Sequence, residues 1–155
     1  MLPVFALAQG TFVLPKDVET KGYVLAIGEY IKTMKATNKT IFDTLFFGKH
    51  EDFPDIKLPT VIENTKIIVL TTAEAEKKYT TRRSITFINM VADFTKDLSL
   101  FKLIVFKTEP TPEKIYWWPI HVCNVNFNYS LDTKAFTKEK TDFEYPYSNK
   151  YADKK

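Results

Sequence analysis

The densest cluster of side chains that could do chemistry lies in a loop over residues 48–59. One histidine and three carboxylates fall within it: His50, Glu51, Asp52 and Asp55. Histidine titrates near neutral pH and a carboxylate can accept its proton, so this cluster could perform general acid–base chemistry. A metal site needs three or four converging ligands, and the chain has no H-x-x-x-H or H-E-x-x-H spacing to supply them. The favoured interpretation is a surface loop in which Asp52 and Asp55 form turns.

A second candidate is the pair His121 and Cys123, which stand two residues apart in a predicted strand and therefore share a face. With His50 they could form a Cys/His/His site, or they could act as a Cys–His pair in nucleophilic catalysis. Strand residues at this spacing lie about 7 Å apart, too far for the hydrogen bond that activates a thiol. Because cysteine is among the most often buried residues, we expect both side chains in the core.

The third candidate is a run of three aromatic residues, Tyr116, Trp117 and Trp118, at the start of a long predicted strand. Aromatic side chains stack on sugar rings and anchor protein interfaces. Consecutive strand residues point to opposite faces, so Trp117 and Trp118 cannot both enter the same core. We expect one of them to be exposed, which makes this run the best sequence indication of a binding surface.

The elements that must position these residues begin with a helix. Residues 17–37 carry Val24, Ile27, Ile31 and Met34 at helical spacing, which predicts an amphipathic helix. Residues 38–47 fit either a short helix or a strand. Residues 66–70 predict a short buried strand, and a short helix is expected directly after it.

The rest of the chain is predicted to form strands. Four long segments, residues 84–94, 98–108, 114–129 and 134–145, are joined by short turns, which predicts an antiparallel meander. We therefore expect an α+β fold in which the N-terminal helix packs on a curved antiparallel meander of four to five strands. This layout resembles the cystatin-like and nuclear-transport-factor-2-like folds. The likeness is one of topology, and such folds carry many functions.

The amino-acid composition of the chain indicates the class of protein. The 155 residues are 45% hydrophobic, 26% charged and 15% aromatic, as expected of one globular domain rich in strands. The net charge of +3 is too small to indicate a nucleic-acid partner. A single cysteine excludes an internal disulfide and a cysteine-rich zinc site. We expect no metal and no cofactor.

The first fifteen residues carry no charged side chain, and residues 2–8 resemble the apolar region and A-x-A cleavage site of a secretory signal that lacks its basic start. Three domain boundaries follow: a truncated signal peptide at 1–8, a single α+β domain at 9–145 and a polar tail at 146–155. The alternative is a first strand or buried arm at residues 4–13. The stretch is too short and too interrupted by Pro and Gly to span a bilayer.

Two stretches carry a local resemblance, LFFGKH at residues 45–50 and DFPDIKLP at residues 52–59, preceded by the signal-like segment that ends in Ala-Gln. Together they resemble small uncharacterised exported proteins of Bacteroidota-type bacteria. The resemblance implies export, to the periplasm or the medium. It implies no catalytic residues.

Three functional hypotheses follow. The favoured one is an exported, non-enzymatic binding domain that contacts a protein or small molecule through its concave sheet face or an aromatic edge. The second is a small hydrolase- or isomerase-like enzyme with acid–base residues in a pocket between helix and sheet. The third is a structural subunit of a cell-envelope assembly. No catalytic residue is assigned, and the partner and oligomeric state stay open. The candidate binding residues are Tyr116, Trp117, Trp118, His50, Asp52, Asp55 and His121.

Overall fold

The computed structural model describes residues 14–37, 43–49, 51, 53–79, 86–94, 98–110 and 115–145. The elements in chain order are α1 (Lys16–Ala36), β1 (Thr44–Lys49), β2 (Val61–Ile62), β3 (Thr65–Thr71), α2 (Thr72–Tyr79), β4 (Thr86–Phe94), β5 (Ser99–Pro110), β6 (Ile115–Ser130) and β7 (Ala135–Glu144). The predicted signal segment 1–8 and the tail 146–155 lie outside these ranges. Neither described helix combines the length and hydropathy needed to cross a bilayer.

The fold is α+β, and its seven strands form one mixed sheet in the order β2-β3-β1-β4-β5-β6-β7. The predicted meander is confirmed, because β4 to β7 pair in succession and antiparallel. The expected size of four to five antiparallel strands is wrong, because β1 lies between β3 and β4 and runs parallel to both. Neighbouring parallel strands are joined by long connections, so their pairing leaves no short turn in the sequence from which it could be predicted.

Helix α1 lies against one face of this sheet, which we call the inner face. Its largest buried side chains are Tyr23, Ile27, Tyr30 and Ile31. The helical spacing correctly predicted that Ile27 and Ile31 are buried. It did not include the two tyrosines, which belong to the same buried stripe. The curl of the sheet explains this wide stripe. One side of α1 meets β2, where Ile62 and Glu63 lie near Gly28, and the other side meets β6 and β7 through Tyr30.

Helix α2 lies on the opposite, outer face. It begins with a capping box in which the Glu74 backbone N–H donates to Thr71 Oγ1 at 3.1 Å and the Thr71 N–H donates to the Glu74 carboxylate at 2.8 Å. Ala75 of α2 belongs to a small second core with Leu70 and Phe87, and Trp117 packs against that core. Both faces of the β3–β1–β4 part of the sheet are therefore packed, as is usual for parallel strands.

A β-bulge in β6 decides where the candidate residues point. Val105 of β5 pairs with His121, while the next residue, Phe106, pairs with Pro119. Ile120 is therefore an extra residue, and the alternation of faces is shifted at that position. After the bulge, His121 and Cys123 point to the inner face. Before it, Trp117 and Pro119 point to the outer face.

Candidate binding surface on strand β6

The candidate surface begins with Tyr116 and Trp118, which we call the aromatic edge. They stand two residues apart on β6 and share a face. Their rings are stacked, with centroids 6.3 Å apart and planes at 23°. Tyr116 is 40% exposed and Trp118 is 52% exposed. Trp118 also lies opposite the exposed Lys107 of β5.

Trp117 has the opposite environment. It is half-buried on the outer face, and its ring makes an edge contact with Phe87 at a centroid distance of 5.3 Å. The structure thus places the two tryptophans on opposite faces, as the strand alternation predicts. Trp117 contributes to the second core, and Trp118 is the one exposed to solvent.

Two further residues, which sequence reasoning missed, continue the exposed apolar surface. Ile120, the bulged residue, is 40% exposed, and Tyr145, which follows β7, is 45% exposed. The ring of Tyr145 lies 6.0 Å from that of His121. The available sequence signal for this irregular stretch was Pro119, because proline inside a strand pattern marks a bulge or an edge.

His121 is a core residue, as expected. It is 7% exposed, and its Nε2 lies 3.2 Å from the hydroxyl oxygen of Tyr30 in α1. Burial is the largest cause of a raised pKa for Tyr30, with the nearby Cys123 and Tyr145 adding to it. The Tyr30 hydroxyl therefore stays protonated at neutral pH, and its contact with His121 joins the helix to the sheet.

Cys123 is fully buried beside this pair, again as expected. Burial, and to a smaller extent the charge of Asp142, raises the pKa of its thiol to about 12. A cysteine nucleophile works as the thiolate, and this environment favours the thiol. The geometry therefore gives no support to a Cys–His catalytic pair.

Asp55, the loop candidate that the structure describes, lies away from His121. Asp55 is exposed and forms an ion pair with the Lys16 ammonium, and this hydrogen bond lowers the pKa of the carboxyl. Lys16 begins α1, whereas Tyr30, the partner of His121, lies about 21 Å further along the helix at 1.5 Å per residue. Asp55 and His121 are therefore not brought together. The other two loop candidates, His50 and Asp52, lie outside the described residues.

Within the ranges that the structure describes, no group of three or more His, Cys, Asp or Glu side chains could hold a metal ion. A scan against protein-family models, a comparison with curated proteins and a comparison with solved structures each returned no match. The function is therefore inferred from the geometry of the surface on β6.

Proposed function

We propose that the protein is a non-enzymatic binding domain that contacts a polypeptide partner through the aromatic edge. The observation that carries the proposal is the stacked pair of Tyr116 and Trp118, exposed by 40% and 52%. Tryptophan and tyrosine dominate the energetics of protein interfaces because each buries a large apolar area and keeps a polar atom for hydrogen bonding. Their mutual stacking holds both rings in place before binding, which lowers the entropy lost on association.

The shape of the surface favours a polypeptide over a small molecule. Small-molecule sites are concave and enclose most of the ligand. The aromatic edge instead consists of two exposed rings on one strand, and Ile120 on β6 and Tyr145 directly after β7 are further exposed apolar side chains. An extended surface of this kind matches the broad contact area of a protein interface.

The concave inner face of the sheet, the other surface considered for binding, is covered by α1 over its core. Ile27 and Tyr30 on that helix are at most 1% exposed. A ligand could reach the covered part of this face only by displacing the helix that forms the main core. The aromatic edge lies on the same face, because Trp118 pairs with Lys107, two residues after the inward-facing Val105, and it is the part of that face that is exposed.

Export is part of the same proposal, and its support is the signal-like sequence of residues 1–8. Fractionation of the native cells followed by immunoblotting tests it. We expect the chain in the periplasmic or extracellular fraction. Its recovery with cytoplasmic markers would contradict export while leaving the binding proposal intact.

The binding proposal is tested by selecting peptides from a random phage-displayed library on the wild-type protein. The selected peptides are then synthesised, and their dissociation constants are measured by fluorescence polarisation. We expect Trp118→Ala to weaken binding at least about tenfold, which is the minimum effect of a hot-spot aromatic residue. Tyr116→Ala should weaken binding by less, because the stacked partner of the Trp118 ring is lost while that ring remains.

Leu131→Ala is the matched control, because Leu131 is 59% exposed and lies in the β6–β7 turn, outside the aromatic edge. It should bind as the wild type does. Peptides that bind Trp118→Ala as tightly as the wild type would refute the proposal. In a Trp117→Phe background, Trp118 is the single tryptophan, and its emission, excited selectively at the red edge of the absorption band, should shift to shorter wavelength when a peptide covers it.

A further inference from the structure

Strand β6 extends past the end of its neighbour β7. Glu144, the last residue of β7, pairs with Val122, whereas β6 itself begins at Ile115. On its other side β6 pairs with β5 as far as Ile115, which lies opposite Pro110. Residues 117–120 therefore have β5 on one side, and no other described strand pairs with them on the side of β7. We call that side of residues 117–120 the open flank of β6.

A strand edge of this composition favours pairing with another chain. Residues 115–120 are IYWWPI, a stretch without a charged side chain. Tyr116, Trp118 and Ile120 in this stretch are all exposed. Aromatic and β-branched residues favour strands, and short uncharged segments of them pair between chains when they contain no proline. The one residue of the stretch that departs from this composition is Pro119.

Pro119 interrupts the open flank at one backbone position. In an antiparallel pair, the N–H and C=O groups of successive residues point alternately toward the partner strand and away from it. Proline has no N–H, so a sheet accommodates it where this position points away from the partner strand. Since Pro119 pairs with Phe106 of β5, its nitrogen points to the open flank. Trp117, two residues earlier, points its N–H to the same flank.

The β-bulge adds a second irregularity directly after this position. Ile120 is an extra residue with no counterpart on β5. A bulge bends its strand, increases the local twist and disturbs the regular spacing of the backbone groups. A strand that approached the open flank would find the N–H of Trp117, no N–H at Pro119 and an irregular spacing at Ile120. It could therefore form only part of a regular ladder.

The two outermost strands of the sheet are protected from pairing by other means. Strand β2 consists of only two residues. Strand β7 carries Lys138, Glu139 and Lys140 in succession, and it has a bulge of its own at Glu139. Short length, charged side chains and bulges are the usual features that keep edge strands from pairing. The uncharged residues 115–120 combine a bulge with proline instead of charge.

We propose that Pro119 and the bulge at Ile120 act together as a stop against strand pairing. They keep the open flank of β6 from adding a strand of a second copy of the chain. The stop allows the protein to expose the apolar side chains of Tyr116 and Trp118 while the backbone of the same strand stays closed to association. This inference does not depend on the binding function proposed for the aromatic edge.

Sedimentation equilibrium over about 10–300 µM protein tests the proposal, since this range covers weak association between proteins. The wild type should stay at 18.0 kDa. Pro119→Val restores the missing N–H and adds a β-branched side chain, so it should raise the apparent mass at least about twofold at the upper end of the range. Pro119→Ala restores the N–H alone and should associate more weakly, because alanine has a low β propensity.

Two further variants establish where the copies meet. Pro59→Val makes the same exchange at an exposed position outside the strands, and it should stay at 18.0 kDa. Adding Trp118→Lys to Pro119→Val places a charge on the edge and should return the protein to the monomer, since charge opposes strand pairing. Trp118 is exposed, so lysine at this position leaves the core intact. Circular dichroism and thermal melting establish that each variant is folded.

Amide hydrogen exchange of the wild type measures the open flank without any substitution. The Trp117 N–H should exchange rapidly because it points to this flank, and the Trp118 N–H should be protected because it points toward β5. In Pro119→Val at high concentration, the Trp117 N–H should become protected. A protected Trp117 N–H in the wild type would show that the flank is already paired and would overturn the proposal.

Three results of the sedimentation experiment would also overturn it. The first is a wild type that associates over this range, because the stop would then be ineffective. The second is a folded Pro119→Val protein, or a folded Pro119→Ala protein if the valine variant does not fold, that stays at 18.0 kDa. The third is a Pro59→Val protein that associates as strongly as Pro119→Val, because the effect would then not belong to β6.

Discussion

Glu29 of α1 and Lys138 of β7 form an ion pair, with 2.7 Å between Oε2 and Nζ, although 109 residues separate them in the chain. Lys32 lies 3.8 Å from Glu29 and 3.4 Å from Glu63, which follows β2. These four charges connect the two opposite edges of the sheet across the exposed side of α1. They show how far the sheet curls, since β2 and β7 are its outermost strands.

Lys138→Ala should lower the free energy of unfolding by about 0.5–1 kcal/mol, the upper range for ion pairs at the surface. The Glu29 side chain is 20% exposed, which screens the pair less than full exposure would. A double-mutant cycle with Glu29→Gln, measured by urea unfolding, isolates the coupling, which should shrink at high salt. Lys140→Ala should cost less, because its ion pair joins two residues of the same strand. A larger loss for Lys140→Ala would contradict this account.

The two glycines of α1 should respond in opposite ways to alanine. A Cβ at Gly22 would lie 2.4 Å from Cζ of Phe101, a buried ring held by edge contacts with Tyr23, Phe94 and Phe127. Gly22→Ala should therefore cost about 1–3 kcal/mol through overpacking.

Gly28→Ala is the matched comparison within the same helix. Its nearest contact would be 3.6 Å from Cγ of Glu63, an ordinary van der Waals distance. Alanine is about 1 kcal/mol better than glycine in a helix interior, so this variant should be more stable than the wild type. Thermal melting of the two variants should give Tm shifts of opposite sign. Equal destabilisation at both positions would show that the packing around Gly22 is not the cause.

Tyr30→Phe should lower the free energy of unfolding by about 1 kcal/mol, because it removes the hydroxyl that lies 3.2 Å from Nε2 of His121 and leaves the ring in place. Tyr129→Phe is the control, since Tyr129 is a half-buried ring on the same strand as His121 and no hydrogen bond of its hydroxyl is seen within the described structure. Urea unfolding of both variants at pH 7 measures the difference. Equal effects would mean that the contact with His121 adds nothing to stability.

The raised pKa of Cys123 predicts a loss of stability in alkali. Its thiol has a pKa of about 12 in the folded state against 9.0 for an unperturbed thiol. The folded chain thus holds a proton that the unfolded chain releases, so stability is intact below about pH 9 and falls as the pH rises toward 12. Cys123→Ala should show a shallower fall in urea unfolding between pH 9 and 10. Above pH 10 the buried tyrosines also contribute in both proteins, so a difference confined to that range would count against the thiol.

The β2–β3 turn offers a stabilising substitution. Glu63 and Asn64 both have positive φ, 47° and 62°, as in a type I′ turn. Asn64→Gly should raise the free energy of unfolding by about 0.5–1 kcal/mol, since glycine adopts this conformation without a Cβ clash. Asp132→Gly, in the β6–β7 turn at negative φ, is the control and should not stabilise. A gain at both positions would point to a cause other than backbone conformation.

The parts of the fold that the sequence predicted are those with a local signal. Helix α1 could be predicted from the spacing of Ile27 and Ile31. Strands β4 to β7 could be predicted because each short turn joins two strands that are neighbours in the sheet. The placement of β1 between β3 and β4 depends on pairings across long connections, such as Phe46 with Ile68 and Phe87, and no local pattern encodes these. The missing strands account for the error in sheet size.

For the candidate site, the alternation of side chains along a strand correctly predicted that Trp117 and Trp118 lie on opposite faces and that His121 and Cys123 share one face. Alternation alone would also have put Trp117 on the face of His121, since both numbers are odd, and the bulge at Ile120 reverses this. The contact of His121 with Tyr30 depends on where a helix 91 residues away docks. That docking follows from the curl of the whole sheet, which single-residue patterns do not contain.

The bulge at Ile120 has a consequence for how this surface could change over evolution. Ile120 is the one residue of this stretch that has no partner on β5, since Pro119 and His121 pair with the adjacent residues Phe106 and Val105. Deleting the Ile120 codon would remove the bulge, join Pro119 directly to His121 and leave both of these pairs in place. Trp117 and Trp118 would keep their faces, and the surface would lose only the exposed isoleucine. A one-residue deletion at this position is therefore a change of chain length that preserves which indole faces the solvent.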